Sequence, residues 1–389
     1  MSGRARADLA ALAALAGLPA MGPRRLLALL RDRRPVDAWA LAVADDPATL
    51  RRALGGERDL ATLARAWRAA ADGVRPDALL RAHEAAGVAV LAHPSVLADP
   101  PATPGGPRYP QRLVDDPEPP AVLFARGGLV PDGPSVAVVG TRRCTGTGAG
   151  MARELGRELA AAGVHVVSGL ALGIDGAAHR GALDARASHP EAAAPVGVVG
   201  SGLDVAYPAR HRDLWEAVAA EGLLLGEAPL GARPAAWRFP CRNRLVAALA
   251  DVVVVVESHV AGGSLHTVHE AIRRDVDVMV VPGSVRSPAA AGTNQLLAEG
   301  CPPVRDAGDV LVALGLVRGR RHRRVESRPA PGPDAAVVLD ALGWEPATFE
   351  HLAVRCGLGL AELAVALEQL VADGWVSQHG GWYEQRASA

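Results

Sequence analysis

The chain has 389 residues, of which 49% are hydrophobic, and a formal net charge of −1. At about 100–200 residues per domain, this length predicts a folded chain of about two to four domains. All 41 residues in the Lys+Arg count are arginine, which excludes mechanisms that require a lysine, such as a Schiff base. The four cysteines form no CxxC pair, so the sequence predicts neither a disulfide framework nor a metal site, and a reducing cytoplasm is expected.

Residues 1–105 carry apolar residues at helical spacing, with glycines and prolines between short predicted helices. This pattern predicts a small helical domain. The segment PSVLADPPATPGGPRYP at its end is rich in proline and glycine and is interpreted as a linker. Because no run of about 20 apolar residues occurs, we expect no membrane span and no membrane partner.

Residues 106–317 alternate short apolar runs with helical stretches, which is typical of a doubly wound, mostly parallel α/β sheet. The runs are rich in valine and most of them end in glycine, as expected for parallel strands that are buried on both faces. The predicted strands are 135–140, 164–169, 196–202, 251–257 and 276–283.

The C-terminal part of the chain divides in two. Residues 318–333 read RGRRHRRVESRPAPGP and are interpreted as a basic, Pro-rich flexible linker. Residues 334–389 predict three helices followed by a two-stranded wing, which is the pattern of a winged-helix domain. The net charge is +5 over residues 318–328 and −6 over residues 329–389.

Two glycine-rich turns follow the first two predicted strands. Gly140, Thr141 and Arg142 open the first turn, where backbone N–H groups and a helix N-terminus favour a phosphate and Arg142 adds a forked donor. An ordinary βα turn is the alternative, and the spacing does not fit the GxGxxG pattern of nicotinamide cofactors. In the second turn, Ser168 and Gly169 lead to a helix with Asp175 and His179. A Ser168–His179–Asp175 triad is disfavoured because no GxSxG elbow is present.

The segment WRFPCRNR places Arg238, Phe239, Arg242, Asn243 and Arg244 within seven residues at the start of a helix. Guanidinium groups bind phosphates, and an aromatic ring stacks on an unpaired base. Arginines at a helix N-terminus oppose the macrodipole, so a bound anion or an internal partner is favoured over a merely solvated helix start.

A fourth segment, AGGSLHT, follows the valine-rich strand 251–257 and contains Gly262, Gly263, Ser264 and Thr267. Zinc binding by the nearby HxxHE sequence is disfavoured because it matches neither HExxH nor HxxEH. The four segments follow strands of one sheet, and ligands of open α/β sheets bind at that edge. Several such loops suit a polyphosphate backbone or a nucleotide.

In order along the chain, these motifs resemble the set found in the DNA processing protein A (DprA/Smf) family. The resemblance covers residues 108–313 and rests on VGTRRCTGTG, SGLALGIDGAAHRGAL, VVGSGLDVAYP, FPCRNRLVAALA, VVVVESHVAGGSLHTVHEA and GTNQLLAEG. It implies an extended Rossmann-like, doubly wound, mostly parallel α/β domain. The flanking regions are similar to the family's small helical (SAM-like) domain and winged-helix domain.

The resemblance implies a cytoplasmic protein that binds and protects single-stranded DNA, acts as a homodimer and loads the RecA recombinase in natural transformation. It implies no enzyme activity, no cofactor and no metal. The residues expected to bind nucleic acid are Gly140, Thr141, Arg142, Ser168, Gly169, Arg238, Phe239, Arg242, Asn243, Arg244, Gly262, Gly263, Ser264 and Thr267. The chain departs from the family pattern at Ala235 and Ala236, where a basic residue is common, and at Gly262 and His266.

Two other functions are considered. A nucleoside-monophosphate phosphoribohydrolase of the same superfamily would use Glu270 or Glu257 as its acid, although such an enzyme does not need the FPCRNR segment. The chain could also be an interaction module whose loops are vestigial. For the acidic winged-helix domain we expect binding to protein or to its own chain rather than to duplex DNA. If the basic linker docks on that domain, truncation at residue 317 should raise DNA affinity.

Overall fold

The computed structural model describes residues 3–44, 46–55, 59–97, 106–128, 133–316, 328–343 and 346–386. These residues form two compact units, which divide between residues 319 and 320. Each unit has its own hydrophobic core. None of the described helices is long and apolar enough to cross a membrane.

The first unit begins with short helices, as predicted. Four of them start with proline at the first helical position, where the missing N–H group has no cost. The helices are α1 (Gly3–Ala16), α2 (Pro23–Leu30), α3 (Pro35–Val43), α4 (Pro47–Leu54), α5 (Leu60–Ala71) and α6 (Pro76–Ala85).

A sheet of eight strands forms the centre of the first unit. The strands are β1 (Ala89–Ala92), β2 (Val122–Gly127), β3 (Ser135–Val139), β4 (His165–Ser168), β5 (Val196–Val199), β6 (Leu223–Gly226), β7 (Val252–Val255) and β8 (Asp277–Val280). Their order is β1-β2-β6-β5-β4-β3-β7-β8. Strands β3 to β8 are parallel to one another, whereas β2 is antiparallel to β6 and β1 is antiparallel to β2.

The five predicted strands are confirmed as β3, β4, β5, β7 and β8, and the mostly parallel sheet is confirmed with them. The sequence analysis missed β1, β2 and β6. Strand β6 consists of Leu223–Gly226, and β1 is Ala89–Ala92. Both are short, directly follow helices and contain few β-branched residues, so their local pattern does not differ from that of a helix end.

The remaining helices of this unit cover both faces of the sheet, as a doubly wound fold requires. They are α7 (Gly146–Ala161), α8 (Ile174–Ser188), α9 (Arg212–Glu221), α10 (Arg238–Ala248), α11 (Leu265–Ile272), α12 (Ala291–Ala298) and α13 (Ala307–Ala313). Within β3, Val136 and Val138 share a core with α7 and α8, whereas Ala137 and Val139 share a core with α10 and α11.

The N-terminal helices and the sheet share one hydrophobic core. Leu12 and Leu15 of α1 belong to the same cluster as Phe124 of β2 and Trp215 of α9. Strand β1, which precedes residue 105, pairs with β2 of the sheet. The division at residue 105 drawn from the sequence therefore does not separate two independently packed units. Residues 98–105 of the expected linker lie outside the described residues.

The second unit has the predicted winged-helix pattern. It contains α14 (Pro333–Leu342), β9 (Ala347–Thr348), α15 (Phe349–Cys356), α16 (Leu360–Ala372), β10 (Val376–His379) and β11 (Trp382–Gln385). The guanidinium of Arg328 lies 3.9 Å from the centre of the Trp375 ring, and Trp375 Nε1 donates to the carbonyl of Pro329. This unit therefore includes residues that the sequence analysis assigned to the linker. Residues 318–327 lie outside the described part of the chain.

Candidate nucleic-acid interface

A cleft of about 920 Å³ opens at the carboxyl ends of the parallel strands. Strand β3 lies between β4 and β7, so the chain leaves β3 on one side of the sheet and returns on its other side at β7. This is the switch point at which open α/β sheets bind ligands. The loops after β3, β4, β5 and β7 line the cleft together with the start of α10.

The loop after β3 carries two exposed arginines into the cleft, Arg142 and Arg143. The backbone N–H of Thr141 donates to the carbonyl of Glu257 at 2.7 Å, which ties this loop to the end of β7. The Arg142 guanidinium lies 5.4 Å from the centre of the Phe239 ring. Such a cation–π contact leaves the N–H groups of the guanidinium able to donate to an anion.

The N-terminus of α7, which the sequence predicted as a phosphate position, is occupied by a carboxylate of the protein. Glu257 accepts hydrogen bonds from the backbone N–H of Thr145 at 2.9 Å and from its hydroxyl at 2.6 Å. A Cβ atom at Gly148 would lie 2.3 Å from the carboxyl carbon of Glu257. Glycine at this position therefore admits the carboxylate, and Thr141 to Arg143 are left as the anion-facing part of the loop.

Ser168, Asp175 and His179 do not form a triad. The Ser168 hydroxyl is buried and donates to the carbonyl of Val138 at 2.6 Å, Asp175 accepts from the N–H of Gly169 at 3.1 Å, and His179 Nε2 lies 3.1 Å from the carbonyl oxygen of Val196. Burial lowers the pKa of His179 to about 4. The His179 imidazole is therefore neutral at pH 7 and is bonded to β5, instead of serving as a base for Ser168.

Arg242 forms part of the floor of the cleft, with only 7% of its surface exposed. Its Nη1 donates to the carbonyl of Val198 at 2.6 Å, and burial lowers its pKa, although the nearby Asp175 carboxylate opposes that shift. A Cβ atom at Gly169 would lie 1.7 Å from Arg242 Nη1. Glycine is therefore required at position 169 to admit the guanidinium.

The other two arginines of α10 do not line the cleft. Arg244 is 3% exposed and its Nη2 donates to Glu227 at 2.5 Å. The guanidinium of Arg238 lies 5.0 Å from the centre of the Trp237 ring. An internal partner, which the sequence analysis named as an alternative to a bound anion, is thus present for Arg242 and for Arg244.

Two aromatic side chains, exposed Tyr207 and half-buried Phe239, form a pair in the cleft. The ring centres of Tyr207 and Phe239 are 5.4 Å apart, and Tyr207 is 41% exposed. Sequence reasoning selected Phe239 and missed Tyr207. The available signal was the tyrosine of the VVGSGLDVAYP motif, which follows β5 and therefore reaches the same edge of the sheet.

The loop after β7 brings small residues to the opposite wall of the cleft. Ser264 and Thr267 are buried, and the Ser264 hydroxyl donates to Ser258 Oγ at 2.9 Å. Gly262 and Gly263 present backbone to the cleft, where His259 and His266 are exposed. Sequence reasoning did not select these two histidines as binding residues, although His266 marks a departure from the family pattern.

The structure brings most of the predicted site residues together. Those that line the cleft are Gly140, Thr141, Arg142, Gly169, Phe239, Arg242, Asn243, Gly262, Gly263, Ser264 and Thr267. Ser168 lies beneath the cleft, and Arg238 and Arg244 face other surroundings. No group of three or more His, Cys, Asp or Glu side chains suited to a metal ion occurs among the described residues.

The sequence matches two family models. The model described as DNA recombination-mediator protein A matches residues 101–315, and the model described as DprA winged helix domain matches residues 323–381.

Similar proteins include the protein Smf of Synechocystis, which is 32% identical over 73% of this chain and 79% of its own length. The putative DNA processing protein DprA of Mycobacterium tuberculosis is 39% identical over 69% of this chain and 70% of its own length. Among solved structures, the DNA processing protein A of Streptococcus pneumoniae superposes with a TM-score of 0.58 at 28% identity. That match covers 77% of this chain and 95% of the solved one.

Proposed function

Because this chain belongs to the DNA processing protein A (DprA/Smf) family, we propose that it binds single-stranded DNA in the cleft and takes part in DNA processing. The observation that carries this proposal is the pair of exposed Tyr207 and half-buried Phe239 beside Arg142, at the switch point of the sheet. Aromatic rings stack on the faces of unpaired bases, and guanidinium groups bind the adjacent phosphates. A duplex does not offer its base faces, so this arrangement favours a single strand.

The cleft residues divide into three roles. Arg142 and Arg143 contact phosphates, Phe239 and Tyr207 stack on bases, and the backbone of Gly262 and Gly263 allows close approach of the strand. Arg242 supports the floor of the cleft through its bond to Val198 and its contact with Gly169. We assign Arg244 no contact with DNA in the cleft, because it does not line the cleft and its Nη2 is bonded to Glu227.

Binding of oligothymidine by fluorescence anisotropy tests the proposal. R142A should weaken binding and reduce the slope of log affinity against log salt by about 0.7, since one phosphate contact is lost. F239A should cost about 1–3 kcal/mol with little change in that slope, because stacking carries no charge. R157A is the matched control, since Arg157 is an exposed arginine of α7 outside the cleft. Binding that neither cleft variant weakens, or tighter binding to a duplex of the same length, would refute the proposed site.

We further propose that the chain acts by binding and not by catalysis. The carboxylate of Glu270 is bonded to Arg273 and Arg274 and does not line the cleft, and Glu257 is bonded to Thr145. Neither acid is thus held in the way that a phosphoribohydrolase requires. Incubation with a panel of nucleoside monophosphates should release no free base. Release of free base that E270Q abolishes would instead support the phosphoribohydrolase function.

Two partners are proposed from the family resemblance. The chain would form a homodimer and would load RecA onto the strand that it holds. Light scattering measures the mass of the particle in solution, and the rate at which RecA assembles on DNA already coated by the chain measures the transfer. A mass equal to that of one chain would refute the proposed homodimer. A rate of RecA assembly that the chain does not raise would refute the proposed RecA partner.

A further inference from the structure

A second depression of about 500 Å³ lies beside the cleft, between the start of α2 and the start of α10. We call it the Arg24 groove. Its walls include Arg24 and Arg25 of α2, Glu118, and Arg273 at the end of α11. Pro240 lines both the groove and the cleft, so the two depressions are adjacent.

The groove is basic, and its most exposed charge is Arg24. That side chain is 89% exposed, and its Nη2 lies 3.4 Å from Glu118, at the long limit of a hydrogen bond. Glu118 also accepts from Arg273 at 3.3 Å and would keep this partner if Arg24 turned towards a ligand. An exposed pair of this kind is weak, so exchange of Glu118 for a phosphate costs little.

Helix α2 adds to the attraction for an anion. It begins at Pro23 after Gly22, and no side chain in the described part of the chain caps its N-terminus. Both residues line the groove. Arg24 and Arg25 lie in the first helical turn, where cations oppose the helix dipole, and an anion bound there would relieve that opposition.

An independent observation comes from α10. Arg244 lines the same groove, is almost completely buried, and has no hydrogen-bond partner for Nη1 among the described residues. A buried donor without a partner costs free energy unless water or a ligand satisfies it. The wall of the groove therefore contains a buried donor, unpartnered within the described part of the chain, in addition to the exposed Arg24.

We propose that the Arg24 groove binds the phosphodiester backbone of the DNA strand where it leaves the cleft, so that the N-terminal helical region is part of the binding site. This inference rests on the proposed function. None of the described residues in the walls of the groove is aromatic, so these walls offer charge without base stacking. It therefore suits the backbone of a strand whose bases are held elsewhere, and Pro240 connects it to the cleft where they are held.

Oligothymidines of two lengths, about 6 and about 25 nucleotides, separate the two sites, since the short one fills only the cleft. R24A should bind the short strand as the unaltered chain does, bind the long strand about 5-fold more weakly, and reduce the salt slope for the long strand by about 0.7. R24E should weaken long-strand binding further. R51A is the matched control, because Arg51 is an exposed arginine of α4 outside both depressions.

E118Q tests the same groove through an expected gain in DNA affinity, whereas R24A is expected to lower it. Removal of this carboxylate takes a negative charge out of the groove and frees Arg24, so long-strand affinity should rise about 2-fold while short-strand affinity stays the same. If Glu118 served only to stabilise the fold, E118Q would not raise the affinity for the long strand. If R24A, R24E and E118Q leave the long-strand affinity unchanged, the groove does not bind DNA, although the cleft still does. If the unaltered chain binds neither strand, the proposed function itself fails.

Discussion

Three arginines at the start of α10 are close in sequence and have three different surroundings. Arg238 contacts the Trp237 ring, Arg242 is buried under the Ser168–Gly169 turn, and Arg244 is paired with Glu227. Their spacing in the segment RFPCRNR predicts phosphate binding equally for all three. Burial makes the difference, because a guanidinium that bonds to a carbonyl or a carboxylate of the protein has few donors left for DNA.

At Arg244 the expected effect of substitution is on folding. R244A leaves Glu227, whose side chain is 20% exposed, without its partner, and removing one member of a largely buried ion pair costs about 3 kcal/mol. Urea unfolding should show this loss in the free energy of unfolding, and R157A should show none. The folded fraction of R244A should still bind the short oligothymidine normally. Full stability with weakened short-strand binding would instead place Arg244 in contact with DNA.

At the start of α7, an internal partner again occupies a site that the sequence assigns to DNA, here for the N-terminus of a whole helix. A glycine-rich loop that leads to a helix N-terminus predicts an anion site, and an anion is indeed present, but it is Glu257 from the end of β7. The sequence around the start of α7 indicates that a negative charge is favoured there, but it does not indicate which group supplies that charge. Since β7 follows β3 by more than 100 residues and becomes its neighbour only in the sheet, this pairing is invisible in the sequence near α7.

Helix α16 corresponds to the helix that reads DNA in many winged-helix domains. Its exposed positions include Leu360, Val365 and Glu368, and it contains no arginine or lysine. We expect the second unit, produced as residues 328–389, to cause no shift of a duplex in a gel at low salt. The fragment begins at Arg328 because this residue packs on Trp375. A shift that vanishes at higher salt would show that the unit does contact phosphates.

For the whole molecule, the net charge of −1 conceals an uneven distribution along the chain. Residues 318–328 carry +5 and residues 329–389 carry −6. An acidic unit on the same chain as a DNA site repels DNA, and this effect falls as salt screens the charges.

Two truncations measure the balance of these charges. A chain that ends at residue 327 keeps the basic linker and loses the acidic unit, so it should bind single-stranded DNA about 2- to 5-fold more tightly at low salt, with the gain vanishing as salt rises. A chain that ends at residue 317 also loses the linker and should lose part of this gain. Equal affinity of all three chains at low salt would mean that the C-terminal region does not influence the cleft.

The sequence alone determined the positions of the valine-rich strands along the chain, the glycine turns after them, the winged-helix pattern and the family. These features are local, because strand and helix periodicities and motif spacings repeat within a few residues. Tertiary structure alone decided that Tyr207 joins Phe239, that Glu257 fills the α7 N-terminus, and that Arg242 and Arg244 have internal partners. Each of these contacts joins segments far apart in the chain, and strand order and burial select the partner that a charged or aromatic side chain finds.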